Sequence, residues 1–147
     1  MAETTTRVQT KVLDSSDPSL PSLVLQVTQM VDTYMLWIGA ADGNTNAGNG
    51  ENAVLNGNLC KDWACAMPPR LPGGLSAATS LFRSANSDIA LPMAQRLAKR
   101  FQKQIFLSVD IPSGFLSLGQ GPRLALEAEK GIVATLKEAE KMLAASR

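Results

Sequence analysis

Tyr34-Met35-Leu36-Trp37-Ile38-Gly39 is the stretch that decides how the rest of the chain must be arranged. In an extended strand successive side chains point to opposite faces. Tyr34, Leu36 and Ile38 then line one side, and Met35 and Trp37 the other. Neither side is polar. A strand with one wet face alternates apolar with polar residues, whereas a strand covered on both faces does not. Something must therefore cover each side of this segment.

The neighbouring sequence reads as more sheet. Leu23 to Met30 alternates, with Leu23, Leu25 and Val27 facing one way and Val24, Gln26, Thr28 and Met30 the other. The short connection Val31-Asp32-Thr33 makes these two strands a hairpin. Further upstream, Arg7 to Leu13 is a strand with Val8, Thr10 and Val12 on one side, broken by Asp14-Ser15-Ser16-Asp17-Pro18. Residues 41–58 are rich in Gly and Asn and hold too few apolar groups to fix them, which predicts a flexible loop insertion. A short strand from Leu59 to Met67 contains Trp63 and ends at Pro68-Pro69. After the Pro72-Gly73-Gly74 turn, Leu75 to Phe82 forms another.

The pattern then changes period. From Ser87 or Asp88, either a good N-cap, Ile89, Met93, Leu97 and Phe101 fall at steps of four with Ala90, Ala94 and Ala98 beside them. That is an amphipathic helix. Pro92 is tolerated because it sits in the first turn. Gln104 to Val109 is a sixth strand, with Ile105, Leu107 and Val109 on one face and Phe106 on the other. A Pro/Gly loop leads to a last helix from about Arg123 to Ala145, with Leu124, Ala128, Ile132, Leu136, Ala139 and Leu143 as its stripe. The order is five strands, a helix, a strand and a helix. It predicts an α+β fold: a six-stranded, mostly antiparallel sheet with both helices on one face. Two helices can cover only one face, so the other is expected to meet a second sheet in a dimer.

Composition narrows the class of function. The chain has 147 residues, enough for one domain with a real core, at 45% hydrophobic and 18% charged. A net charge of +1 announces no polyanion partner, and nucleic acid is not expected. No apolar run approaches the ~20 residues that span a bilayer, and the polar, acidic start reads as no signal peptide. A soluble, intracellular protein is expected, with no membrane partner. Cys60 and Cys65 do not make a disulfide framework, and with no histidine in the chain a Cys/His zinc site is excluded.

Catalytic constellations fail in turn. Without histidine there is no Ser-His-Asp or Cys-His arrangement. No Gly-x-Ser-x-Gly elbow or Ser-x-x-Lys occurs. Gly43, Gly48 and Gly50 have the wrong spacing for a phosphate cradle and lack its lysine. Asp14 and Asp17 flank a turn and suit Asx capping better than proton transfer. The chain reads as a non-enzyme with no cofactor. Two features are left as candidate partner surfaces: Tyr34, Met35 and Trp37 on the two-sided strand, and, from the basic strip Arg96, Lys99, Arg100 and Lys103 along the first helix, its Arg96, Lys99 and Arg100. The strip would suit an acidic partner, although a wet helix face explains it as well.

These stretches also carry a family resemblance. Asp32-Thr33-Tyr34-Met35-Leu36-Trp37-Ile38-Gly39-Ala40 is similar to the strand of the proteasome assembly chaperone 4 family that ends hydrophobic-Trp-hydrophobic-Gly-Ala. Met93-Ala94-Gln95-Arg96-Leu97-Ala98-Lys99-Arg100 and Lys103-Gln104-Ile105-Phe106-Leu107-Ser108 resemble its Ala-Gln-Arg-Leu-Ala helix and Lys-Gln-hydrophobic-Phe strand. Ala64-Cys65-Ala66-Met67 and Ala78-Thr79-Ser80-Leu81 resemble the strands between. None of these is specific alone; their order and spacing are. The departures are the loop at 41–58 and the Pro/Gly stretch at 68–74. The resemblance implies an ATP-independent chaperone for α-ring assembly of the 20S proteasome. It would act in the cytoplasm and nucleus as a heterodimer with a proteasome assembly chaperone 3-like subunit and bind proteasome α-subunits. The alternative from the residues alone is a homodimeric scaffold of similar fold in another complex.

Overall fold

The computed structural model describes residues 5–41, 50–83, 88–117 and 119–146. Strands β1 (Arg7–Leu13), β2 (Leu23–Met30), β3 (Thr33–Ala40), β4 (Asp62–Ala66), β5 (Ala78–Phe82) and β6 (Gln104–Asp110) form one six-stranded sheet in the order β1-β2-β3-β6-β4-β5. The β3–β6 pair is parallel and every other pair antiparallel. Parallel neighbours need a long crossover, and here β4, β5 and the first long helix supply it. The two-residue turn at Val31-Asp32 closes the β2–β3 hairpin, pairing Met30 with Thr33. Asp32 takes a left-handed conformation (φ 49), which Asp tolerates better than most residues. Its carbonyl accepts from the Gln104 amide at 3.1 Å, which pins Thr33 opposite Gln104 and sets the parallel register.

Helices α2 (Ala90–Phe101) and α4 (Gly121–Ala145) lie on the same face. The first packs on β4, β5 and β6. The second covers the β1–β3 side, where Gly131 admits the Leu13 side chain so closely that a Cβ would collide with it. Leu25, Leu36, Ile38, Ile105 and Leu107 from the strands meet Met93 and Leu97 from α2 and Leu124, Ile132 and Leu136 from α4, each at most 1% exposed. Each such side chain contributes about 1.5–3 kcal/mol of transfer free energy. This is the core, and it lies entirely between sheet and helices.

Several boundaries differ from the sequence expectation. Residues 50–55 are not loop: Gly50–Leu55 forms a short helix, α1, on the opposite face of the sheet, while residues 42–49 of the expected flexible insertion lie outside the described residues. Ser113–Ser117 forms another short helix, α3, where a loop was expected.

The start of α2 is capped differently as well. Its N-cap residue is Ile89, whose side chain caps nothing. The Asp62 carboxylate, 2% exposed at the start of β4, accepts from the backbone amides of Ile89 and Ala90 at 2.9 and 3.1 Å. A carboxylate at the positive end of the helix satisfies orphan donors and complements the dipole. Asp88 instead pairs with Arg83 at 2.7 Å on the surface, and Ser87 lies outside the described residues.

The two aspartates should therefore behave unequally. Asp62→Ala leaves buried amides unpaired and is expected to lower unfolding free energy by about 2 kcal/mol. Asp88→Ala breaks an exposed ion pair and should change it by about 0.5 kcal/mol or less. Urea denaturation of both variants compares them directly; equal losses would show that the cap is misplaced.

Candidate protein-interaction face

The face of the sheet away from α2 and α4 is built from rows of paired residues. Val8, Thr28, Met35, Phe106, Cys65 and Thr79 form one row across all six strands. Thr10, Gln26, Trp37, Ser108, Trp63 and Phe82 form the next. Val12, Val24, Gly39 and Asp110 form a third. A strand in a sheet sends alternate residues here whatever their chemistry, so the apolar character of the rows comes from the sequence.

Part of this face is covered by the same chain. Gly50 at the start of α1 lies over Thr10, Val12 and Val24, close enough that a Cβ would sit 3.2 Å from the Thr10 methyl. The segment after α1 is tied down by three polar contacts. The Asn58 amide donates to Asp110 at 2.7 Å, the Ser108 hydroxyl donates to the Leu59 carbonyl at 2.9 Å, and Lys61 pairs with Asp110 at 2.9 Å. Beneath it the Trp37 indole lies flat between two glycines: a Cβ on Gly39 would fall 2.6 Å from the ring, and one on Gly57 2.5 Å. No side chain other than hydrogen fits either place. Trp37 is consequently only 7% exposed.

Beyond Trp37 the cover supplied by the described residues stops. A cleft of about 200 Å³, lined by Gln26, Thr28, Met35, Trp37, Val54, Gly57 and Leu59, marks its edge. Past it, Met35, Phe106, Cys65 and Trp63 are only half-buried, and Val8, Met30 and Phe82 are exposed. Scattered apolar side chains on a surface mean little, but a contiguous field of them marks a contact site. The Trp63 Nε1–H is buried without a hydrogen-bond partner among the described residues. A buried indole donor normally finds an acceptor.

The six candidate residues fall in three places. Met35 and Trp37 share the open face, the first half-buried at its centre and the second beneath α1. Tyr34 points the other way and is fully buried in the core, with its ring edge-on to Phe101 at 6.5 Å and its hydroxyl donating to Glu140 at 3.3 Å. Burial, and then the neighbouring Glu140 charge, push its phenol well above the usual range. It supports the sheet from behind. Arg96, Lys99 and Arg100 are exposed on the outer surface of α2, in the opposite layer of the molecule. Arg96 makes a two-pronged pair with Glu129 of α4 at 2.8 and 2.9 Å, and those hydrogen bonds hold its guanidinium pKa up. Phe106, Trp63 and Cys65 were not singled out from sequence. The signal was there in the alternation of each strand, since all three oppose the core-facing residues.

The protein is a two-layer α+β domain whose helices seal one face of the sheet and whose other face carries a half-buried apolar row. The chain belongs to the proteasome assembly chaperone 4 family, whose profile matches residues 22–111, from the edge of β2 to the end of β6. Its fold is similar to that of a chain in the crystal structure of a novel chaperone complex for yeast 20S proteasome assembly. The TM-score is 0.62 at 15% sequence identity, over 90% of this chain and 96% of that one. No curated protein matches the sequence.

The seating of Trp37 can be tested in a Trp63→Phe background, where it is the only indole. Gly57→Val should expel the ring from its slot, shifting emission to the red and raising acrylamide quenching. A spectrum unchanged by the substitution would show that α1 does not hold the ring.

Proposed function

We propose that this protein is a non-enzymatic, ATP-independent chaperone for assembly of the 20S proteasome α-ring. It acts as a heterodimer with a proteasome assembly chaperone 3-like subunit, in the cytoplasm and nucleus, and engages proteasome α-subunits. Family membership supports the chaperone role. The observation that carries the pairing is the row Met35–Phe106–Cys65 with Trp63 beside it: half-buried, apolar, central to the sheet and left uncovered by the described residues.

A second sheet laid on this face would complete a sandwich about 10 Å thick between its two layers. Stable pair interfaces bury about 1,600 Å² in total, a scale suited to a field that runs from Val8 to Phe82. The mechanism then consists of binding alone: the pair holds a client surface reversibly until later subunits displace it. No bond is made or broken.

Co-expression with the sister subunit tests this reading. Met35→Glu and Phe106→Glu place charge at the centre of the proposed interface and should weaken pairing at least thirtyfold, the equivalent of about 2 kcal/mol for a central residue. Each variant should keep native far-ultraviolet circular dichroism. Undiminished pairing, measured by analytical ultracentrifugation, would place the interface elsewhere. A wild-type chain that forms a tight dimer with itself and ignores the sister subunit would favour a homodimeric scaffold.

A further inference from the structure

The outer surface of the helical layer holds a second feature that neither the core nor the proposed pairing uses. A groove of about 580 Å³ runs between α2 and α4, lined by Arg96, Arg100, Leu126, Glu129, Lys130, Val133, Ala134 and Lys137. In α4 the core-facing stripe is Leu124, Ala128, Ile132 and Leu136, all at most 1% exposed. Leu126, Lys130, Val133 and Lys137 recur at steps of three and four and so form a stripe of their own. Leu126 is 52% exposed. It lies outside the core cluster.

The charges around this apolar floor are one-sided. Four cations, Arg96, Arg100, Lys130 and Lys137, rim it, against the single carboxylate of Glu129, which Arg96 already occupies. Arg100 and Lys137 have no carboxylate partner among the described residues, and Lys130 reaches Glu127 only at 3.7 Å. Four of the 14 Lys and Arg residues of the chain thus meet around one groove.

We infer that this groove docks an acidic amphipathic segment of a partner protein, with one or two apolar side chains on Leu126 and Val133 and flanking carboxylates on Arg100, Lys130 and Lys137. Arginine presents a planar fork that meets a carboxylate with two bonds. The apolar floor supplies the anchors that a purely electrostatic surface lacks. A nucleic acid is the poorer fit, because a single strand needs aromatic stacking platforms and the groove has none among its lining residues. The groove lies on the layer opposite Met35 and Phe106. It therefore stands independently of the pairing proposal, and both surfaces can be occupied at once.

The test uses the full chain and a fluorescein-labelled peptide in which Leu and Phe are flanked by Asp and Glu. Saturable binding that weakens with salt is expected. Leu126→Asp and the double variant Arg100→Glu/Lys137→Glu should each reduce affinity about tenfold or more, without changing Tm or pairing with the sister subunit. The same peptide with Asn and Gln in place of its acids should bind at least tenfold more weakly than the parent. Polyglutamate or a single-stranded oligonucleotide binding as well as the peptide, or indifference to Leu126→Asp, would reduce the groove to a generic basic surface. Absence of saturable binding up to about 1 mM would overturn the proposal. Loss of sheet-face pairing leaves these outcomes unaffected, so the two readings fail separately.

Discussion

Strand β3 has to be kept dry on both sides, and the molecule is organised around that requirement. Its backbone is satisfied laterally by β2 and β6, so it cannot move to an edge without losing one of its two ladders. Its side chains then face two environments. Towards the helices, Tyr34, Leu36 and Ile38 are fully buried. Away from them, Trp37 is sealed by a short piece of the same chain, the α1 segment. That segment has little apolar surface of its own, and what holds it is the flat fit of an indole between Gly39 and Gly57 with the polar ties to Ser108 and Asp110. A six-residue helix is too short to persist alone; the tertiary contacts make it.

The partial seal changes what the second face can do. Had α1 covered the whole face, the sheet would be a finished two-sided layer with no reason to seek company. Had it covered none, Trp37 would stand exposed beside Met35 and Phe106 on a flat apolar plane, a surface prone to indiscriminate association. The segment 50–61 leaves a bounded field instead, with a rim of polar groups at one end and apolar residues at the centre. Bounded fields of this type suit a specific partner, since the core of an interface is apolar and its rim polar. In the proposed pairing, α1 would form part of that rim.

How much of this could be read from the chain depends on how local each cause is. The alternation of β3 and the stripes of α2 and α4 are set by neighbours three or four residues apart, and periodicity finds them. The statement that β3 has two apolar faces was equally legible. The helices that cover one of them were legible too; the cover of the other was not, because Gly50, Gly57 and the residues around them carry no pattern, and only the position of Trp37 in three dimensions gives those glycines meaning. The cap of α2 shows the same limit. Asp88 stands where a local cap belongs, yet the amides of Ile89 and Ala90 are satisfied by Asp62, 27 and 28 residues away. The parallel pairing of β3 with β6 is also non-local, and it is what brings Phe106 beside Met35. The two-sided apolar character of β3 made Tyr34, Met35 and Trp37 candidate surface residues together; the structure buries Tyr34 in the core and leaves Met35 on the open face.

The two outward surfaces differ in a way that follows from the layers they sit on. The open sheet face mixes apolar residues with Thr28, Thr79 and Gln26, and its side chains are held by their cross-strand neighbours, so covering it would cost little conformational entropy. Contacts of that kind favour long-lived complexes. The helical layer presents long, mobile Arg and Lys side chains in water, where charge steers encounter and fixes orientation more than it adds affinity, and where salt loosens the contact. An assembly factor needs one surface of each kind: a durable contact that keeps its own complex together through many cycles, and a reversible one that releases what it has delivered. Because the core lies between the two, the proposed contacts share no residue.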